Sequence, residues 1–161
     1  MKEEALQTFR AKLESTLKTM ANLDLNTNEF EASSNTFDAS RQPGIASIVG
    51  FSGKLKGRSL IWIPENLART ITKEVIGETP ENYREEIVLF TINELNNVLS
   101  GLSISEINNQ FDLGLRLSPP SVFAGESFSL TTPRLNSNIL KGLVEQETLY
   151  FDLALEGGWS E

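Results

Sequence analysis

From Lys2 to Ala21 the apolar residues Leu6, Phe9, Leu13, Leu17 and Met20 recur at steps of three and four, the period of an amphipathic helix. Residues 22–43 break that rhythm. They are rich in Asn, Ser, Asp and Thr, hold Phe30 and Phe37 as isolated apolar anchors, and read as a short strand or an irregular link. Two β-rich runs follow in 45–63, IASIVGFSGKLKGRSLIWI, where Gly53 and Gly57 supply the turn freedom of an antiparallel hairpin. Pro64 stands at a helix start; Leu67, Ile71 and Val75 then recur at steps of four, and Gly77 is the stop. Thr79 and Pro80 open a second long helix that passes through Arg84 and ends near Ser105.

Residues 111–117 alternate as FDLGLRL, which places Phe111, Leu113, Leu115 and Leu117 on one face of a half-buried strand. After Pro119 and Pro120 the run ESFSLTT reads as another strand. Residues 138–156 read as a final hairpin whose second arm buries Leu149, Phe151, Leu153 and Leu155. This order predicts an α+β fold, helices packed on an antiparallel β-sheet, in a single domain over 1–161 with its N-terminal helix at 2–21.

Composition narrows what such a fold can do. A chain of 161 residues that is 39% hydrophobic fits one core. Its net charge of −8 leaves no basic stripe for nucleic acid or an anionic membrane surface. With no cysteine and no histidine, thiol nucleophiles, disulfides, Ser-His triads and nearly all zinc sites drop out, and a metal-dependent hydrolase would need clustered carboxylates. No metal ligands are therefore assigned. The opening MKEEALQTFR lacks a signal-peptide core, and no continuous run approaches the ~18 apolar residues of a membrane span, so a cytoplasmic protein is expected.

The second long helix carries the candidate chemistry. At about 100° per residue, Val88, Ile92, Leu95, Leu99 and Leu102 fall in one arc, the expected core face. Roughly opposite, Phe90, Glu94, Asn97 and Gly101 follow at steps of four, three and four and form a stripe open to a partner. Solvation alone produces Glu, Asn and Gly on an outer face. Phe90 argues for more, because a large aromatic opposite the core normally finds cover from another element or another chain. Asn93, Asn96 and Asn97 are weak helix formers placed in mid-helix, a cost that suggests a use.

The segment 94–101, ELNNVLSG, in which Asn97 is followed after 22 intervening residues by Pro120, resembles the motif of the CheX and CheC chemotaxis phosphatases. The likeness spans 45–156: IVGFSGKLKGRSLIWIPENLARTITKEVIGE looks like the CheX segment in which a Gly-rich hairpin leads into a helix, and Gly125 follows five residues after Pro120. The resemblance implies hydrolysis of the aspartyl phosphate on a phosphorylated CheY-like response regulator. It gives Asn97 the task of orienting the attacking water and Glu94 that of pairing with the receiver lysine. Pro120 takes the structural task of shaping the strand end beside the helix, and Phe90 and Gly101 lie on the partner-binding stripe. It further implies Mg²⁺ on the receiver with no cofactor bound by this chain, and dimerisation in the manner of CheX. An acyl phosphate is already activated and reacts through a loose transition state, so positioning and charge carry most of the catalysis and neither His nor Cys is required.

Departures refine the likeness. The CheC form of the motif has Asp or Ser where this chain has Phe90, which favours a CheX-like member or an altered partner surface. CheC also carries two copies, whereas the nearby second match, Glu106 and Asn109, lacks the trailing glycine and reads as chance. The alternative function is a non-catalytic module of the same fold that binds a receiver or a flagellar switch protein. Elsewhere, GFSGKLKG reads as a hairpin turn and not a phosphate cradle. Asp112 and Arg116 read as a surface ion pair on one strand, and Trp62 and Trp159 as packing residues.

Overall fold

The computed structural model describes residues 1–33, 35–39 and 41–161. The chain opens with helix α1 (Lys2–Ala21), which stops where Asn22 turns left-handed (φ 53°) and the Leu23 N–H bonds back to the Leu17 carbonyl at 3.3 Å. Three short strands follow, β1 (Asn26–Thr27), β2 (Glu31–Ala32) and β3 (Thr36–Ala39). The hairpin β4 (Gly44–Ser52) and β5 (Lys56–Pro64) leads into α2 (Glu65–Ile76) and the long α3 (Glu86–Phe111). The last third holds β6 (Arg116–Leu117), β7 (Ser121–Gly125), β8 (Phe128–Thr131), β9 (Asn136–Val144) and β10 (Glu147–Leu155), then a 3-10 turn at Gly157–Ser160.

The main sheet runs β1-β9-β10-β5-β4-β6, with β2 also on β9 and β7 also on β4, and its pairings are antiparallel. The three helices cover one face. Phe9, Leu13 and Leu17 of α1, Leu67 and Ile71 of α2 and Val88, Ile92, Leu95 and Leu99 of α3 meet Ile61, Ile63, Phe151 and Leu153 there. The other face is covered by the two-stranded ribbon β3-β8, which closes a second small core of Phe37, Ala46, Leu60 and Trp62. Because β5 is central and covered on both faces, its run SLIWI is buried without alternation. The expected α+β architecture is the one observed, and both tryptophans are packing residues: Trp159 lies against Phe51 and donates its Nε1–H to the Lys56 carbonyl at 2.9 Å.

Several local expectations need correction. The described residues of 22–43 form three strands where one strand or a link was expected, and Phe37 anchors the second core. Gly53 and Gly57 do not have positive φ; they serve close approach, since a Cβ would lie 2.5 Å from the Leu113 carbonyl oxygen and from the Phe51 ring respectively. Thr79 and Pro80 do not start α3, because the Asn82 side chain captures the Arg84 N–H (2.8 Å) and Glu85 captures the Asn82 N–H (2.8 Å), holding a turn until Glu86.

At its far end α3 continues past Ser105 to Phe111, because Ile104 and Ile107 are buried. Where 111–117 alternate, Phe111 ends α3, residues 112–115 form a loop that buries Leu113 and Leu115, and only Arg116–Leu117 are strand (β6). Asp112 (φ 53°) caps the helix, Gly114 (φ 63°) turns the chain, and the Asn108 side chain bonds both the N–H and the carbonyl of Leu115. Asp112 and Arg116 consequently do not share a strand, and among the described residues they form no ion pair. Val75 and Leu102 are exposed where the core arcs placed them inside. Strand β7 was not anticipated; it pairs along β4 from Gly44 to Ile48.

Candidate functional site on the third helix

Helix α3 lies against β4, β5 and β7 with α1 alongside. Its apolar arc, Val88, Ile92, Leu95 and Leu99, is fully buried. Beside that arc runs an inner polar row that composition alone does not reveal. Asn96 is 0% exposed; its Nδ2 donates to the Ser47 carbonyl at 2.8 Å, and its Oδ1 accepts from the Ser59 hydroxyl at 3.1 Å and from Ser100 at 3.0 Å. Ser47 Oγ–H in turn donates to Asn93 Oδ1 at 2.8 Å. Two of the three mid-helix asparagines are thus committed to holding the helix on the sheet.

The outer stripe is different. Phe90 is 65% exposed, and Glu94, Asn97 and Gly101 are half-exposed. Among the described residues, neither the Glu94 carboxylate nor the Asn97 amide has a side-chain hydrogen bond or ion pair. Both acceptors of Glu94, and both donors and the acceptor of Asn97, are open to a water or a partner.

Strand β7 borders this stripe. Glu86, Ile87, Leu89, Phe90 and Asn93 of α3 and Val122 of β7 line a shallow groove. Its walls are largely apolar, and its charge is acidic, with Glu86 at the rim and Glu94 one turn beyond Phe90. A partner bearing a cation beside an apolar contact would match it. Pro120, half-exposed, immediately precedes β7, where an edge strand tolerates a residue without an N–H. Gly101 faces Leu117 of β6; a Cβ added there would sit in ordinary contact, 3.7 Å from Leu117 Cδ1. Ile87 and Val122 are site neighbours that sequence reasoning missed. Val122 lay between the prolines and the run ESFSLTT, in a stretch assigned to no element, and Ile87 preceded the periodic stripe.

Among the described residues no group of three or more His, Cys, Asp or Glu is placed to hold a metal ion. By length and composition α3 is apolar enough to cross a membrane, although no continuous apolar run suggested it; half of its most apolar stretch is buried inside the fold, where the helix packs against α1, α2 and the sheet.

The family model described as chemotaxis phosphatase CheX matches residues 45–141. No curated protein matches the chain in sequence. Among solved structures, a CheC-like superfamily protein from a Shewanella species superposes with a TM-score of 0.85 at 23% identity, over 98% of this chain and 100% of that one. Chemotaxis protein CheX from Vibrio vulnificus gives 0.84 at 22% identity, over 95% and 99%. A CheX-CheY-BeF3-Mg²⁺ complex from Borrelia burgdorferi gives 0.75 at 17% identity, over 93% and 96%. At these identities the likeness is one of fold.

Proposed function

The chain belongs to the chemotaxis phosphatase CheX family, and from that membership we propose that it hydrolyses the aspartyl phosphate of a CheY-like response regulator. The observation that carries the reading is the contrast on α3: among the described residues the Glu94 and Asn97 side chains face outward with no hydrogen bond or ion pair, while those of Asn93 and Asn96 are committed. The solved complex of a fold relative with CheY, BeF3 and Mg²⁺ supports a receiver as the partner.

In this mechanism the stripe of α3 lies over the phosphorylated aspartate of the receiver. The Asn97 amide donates one N–H to a lone pair of a water and accepts one of its protons through Oδ1, so that the other lone pair points in line at phosphorus. The P–O bond to water forms as the P–O bond to the aspartyl oxygen breaks, giving inorganic phosphate and a free carboxylate. Glu94 pairs with the receiver lysine and fixes the register of the helix over the phosphate. Phe90 and the groove beside β7 bury apolar surface of the partner, and Gly101 lets its backbone come close. Mg²⁺ belongs to the receiver; this chain contributes no cofactor.

The test is loss of phosphate from a ³²P-labelled receiver of the same genome, with wild-type protein or Asn97→Ala at substoichiometric concentration. Accelerated loss with wild type alone is expected. No acceleration with any receiver, together with stoichiometric binding, would replace the phosphatase by a non-catalytic receiver- or switch-binding module.

A further inference from the structure

We infer that Asn96 is a positioning residue: the buried network of Asn96, Ser47, Ser59 and Ser100 sets the rotation of α3 and thereby the aim of the neighbouring Asn97. The inference rests on the phosphatase reading and deepens it, since Asn96 touches neither the water nor the receiver.

The apolar face of α3 does not by itself fix that rotation. Val88, Ile92, Leu95 and Leu99 form an aliphatic ridge at steps of four and three, and such ridges settle into neighbouring grooves over a range of angles. Hydrogen bonds are directional, and buried ones are expensive to misalign. Asn96, Ser47, Ser59 and Ser100 are each 0% exposed, so water offers them no substitute partner.

The network is almost saturated. One Asn96 Nδ2 proton goes to the Ser47 carbonyl (2.8 Å), and the other lies near the Ser59 carbonyl (3.4 Å) and Ser47 Oγ (3.3 Å). Around Oδ1 three contacts share two hydroxyl protons: Ser59 at 3.1 Å, Ser100 at 3.0 Å, and Ser59 with Ser100 at 2.7 Å. Either hydroxyl can donate to the amide while the other donates to its neighbour, so each proton is used in both arrangements. Two anchors come from two strands, Ser47 on β4 and Ser59 on β5, and the third, Ser100, is one turn along α3 itself. A helix bonded to two strands through one side chain has its azimuth and its height fixed together.

Asn97 follows Asn96 by one residue, about 100° around the helix. A side chain whose tip lies about 5–6 Å from the axis moves roughly 1 Å when the helix turns by about 10°. A displacement of that size can cost on the order of 100-fold when a nucleophile must be held in line. Receiver docking depends on Phe90, Glu94 and the groove, and it tolerates such a shift better than water alignment does.

The test measures kcat and KM toward the phosphorylated receiver for wild type, Asn96→Ala, the double variant Ser59→Ala/Ser100→Ala, and Leu149→Ala. All are assayed where circular dichroism reports them folded. Leu149 is a core residue of β10 outside the network and serves as the control for general loosening. Asn96→Ala is expected to lower kcat about 10- to 100-fold with KM within about two-fold. The serine pair should lower kcat less, because the bond to the Ser47 carbonyl survives, and Leu149→Ala should keep wild-type kcat. Wild-type kcat in a folded Asn96→Ala, an equal fall in Leu149→Ala, or a change confined to KM overturns the inference while leaving the phosphatase reading in place. Should Asn96→Ala not fold, the serine pair decides, and unchanged kcat there overturns it. Absence of turnover in wild type overturns both readings at once.

Discussion

Asn96 is fully buried with its amide bonded to Ser47, Ser59 and Ser100, whereas Asn97, one residue further round α3, is half-exposed and its amide has no hydrogen bond among the described residues. The same residue type thus does two kinds of work on one helix. On the inner face the amide replaces water for sheet groups that cannot reach it, and removing it leaves them unsatisfied. On the outer face an unbonded amide adds nothing to folding and lowers helix propensity, so its retention needs a partner or a reaction. The difference between the faces lies in satisfaction of hydrogen bonds, not in polarity.

Loss of Asn97 gives the sharpest contrast. Asn97→Ala should reduce phosphate release to the rate of the receiver alone, at least about 100-fold below wild type, while its urea midpoint stays at or slightly above wild type because Ala is the better helix former. A fall in stability of more than ~1 kcal/mol would place Asn97 in the structural set and dissolve the comparison. Asn96→Ala should behave oppositely in the same urea titration, losing about 1–3 kcal/mol through the orphaned Ser47, Ser59 and Ser100 groups. A stability change within ~0.5 kcal/mol would show that the network contributes little to holding the helix.

The comparison also marks how much could be read from the chain. Periodicity located α1, the β4-β5 hairpin, α2 and the final hairpin, because each pairs a clear repeat with a clear stop such as Gly77. It placed Glu94 and Asn97 opposite the core because an angle of about 100° per residue needs no tertiary information. The split of the asparagine cluster was not legible. Which amide faces the sheet depends on where Ser47 and Ser59 arrive, and these lie 49 and 37 residues from Asn96. The loop after α3 misled for a related reason: Leu113 and Leu115 are buried as the alternation implied, but the Asn108 clamp and the turn at Gly114 bury them without a strand. Strand β7 gave no signal of its own, since an edge strand of five residues beginning after two prolines looks like a turn.

Along the outer stripe a smaller effect is expected from charge. Glu94→Lys should weaken receiver binding about 10-fold, measured by titration at low salt, with most of the loss in association rate and a shrinking difference as salt rises. Unchanged affinity and rate would remove Glu94 from the docking surface and leave Asn97 without its register partner.

The smallest effect, and the one with opposite sign, belongs to Gly101. A glycine in a helix interior costs roughly 0.5–1 kcal/mol relative to alanine, and here nothing inside the fold demands it. Its backbone is helical, and an added Cβ would make only ordinary contact with Leu117. Gly101→Ala should therefore raise stability by about that amount in the urea titration. If the glycine is kept so that a partner backbone can approach α3, the same methyl should reduce receiver affinity by a few-fold. A variant that gains stability with full affinity would confine the partner surface to Phe90, Glu94 and Asn97. One that loses stability would mean that Gly101, like Asn96, belongs to the inner face.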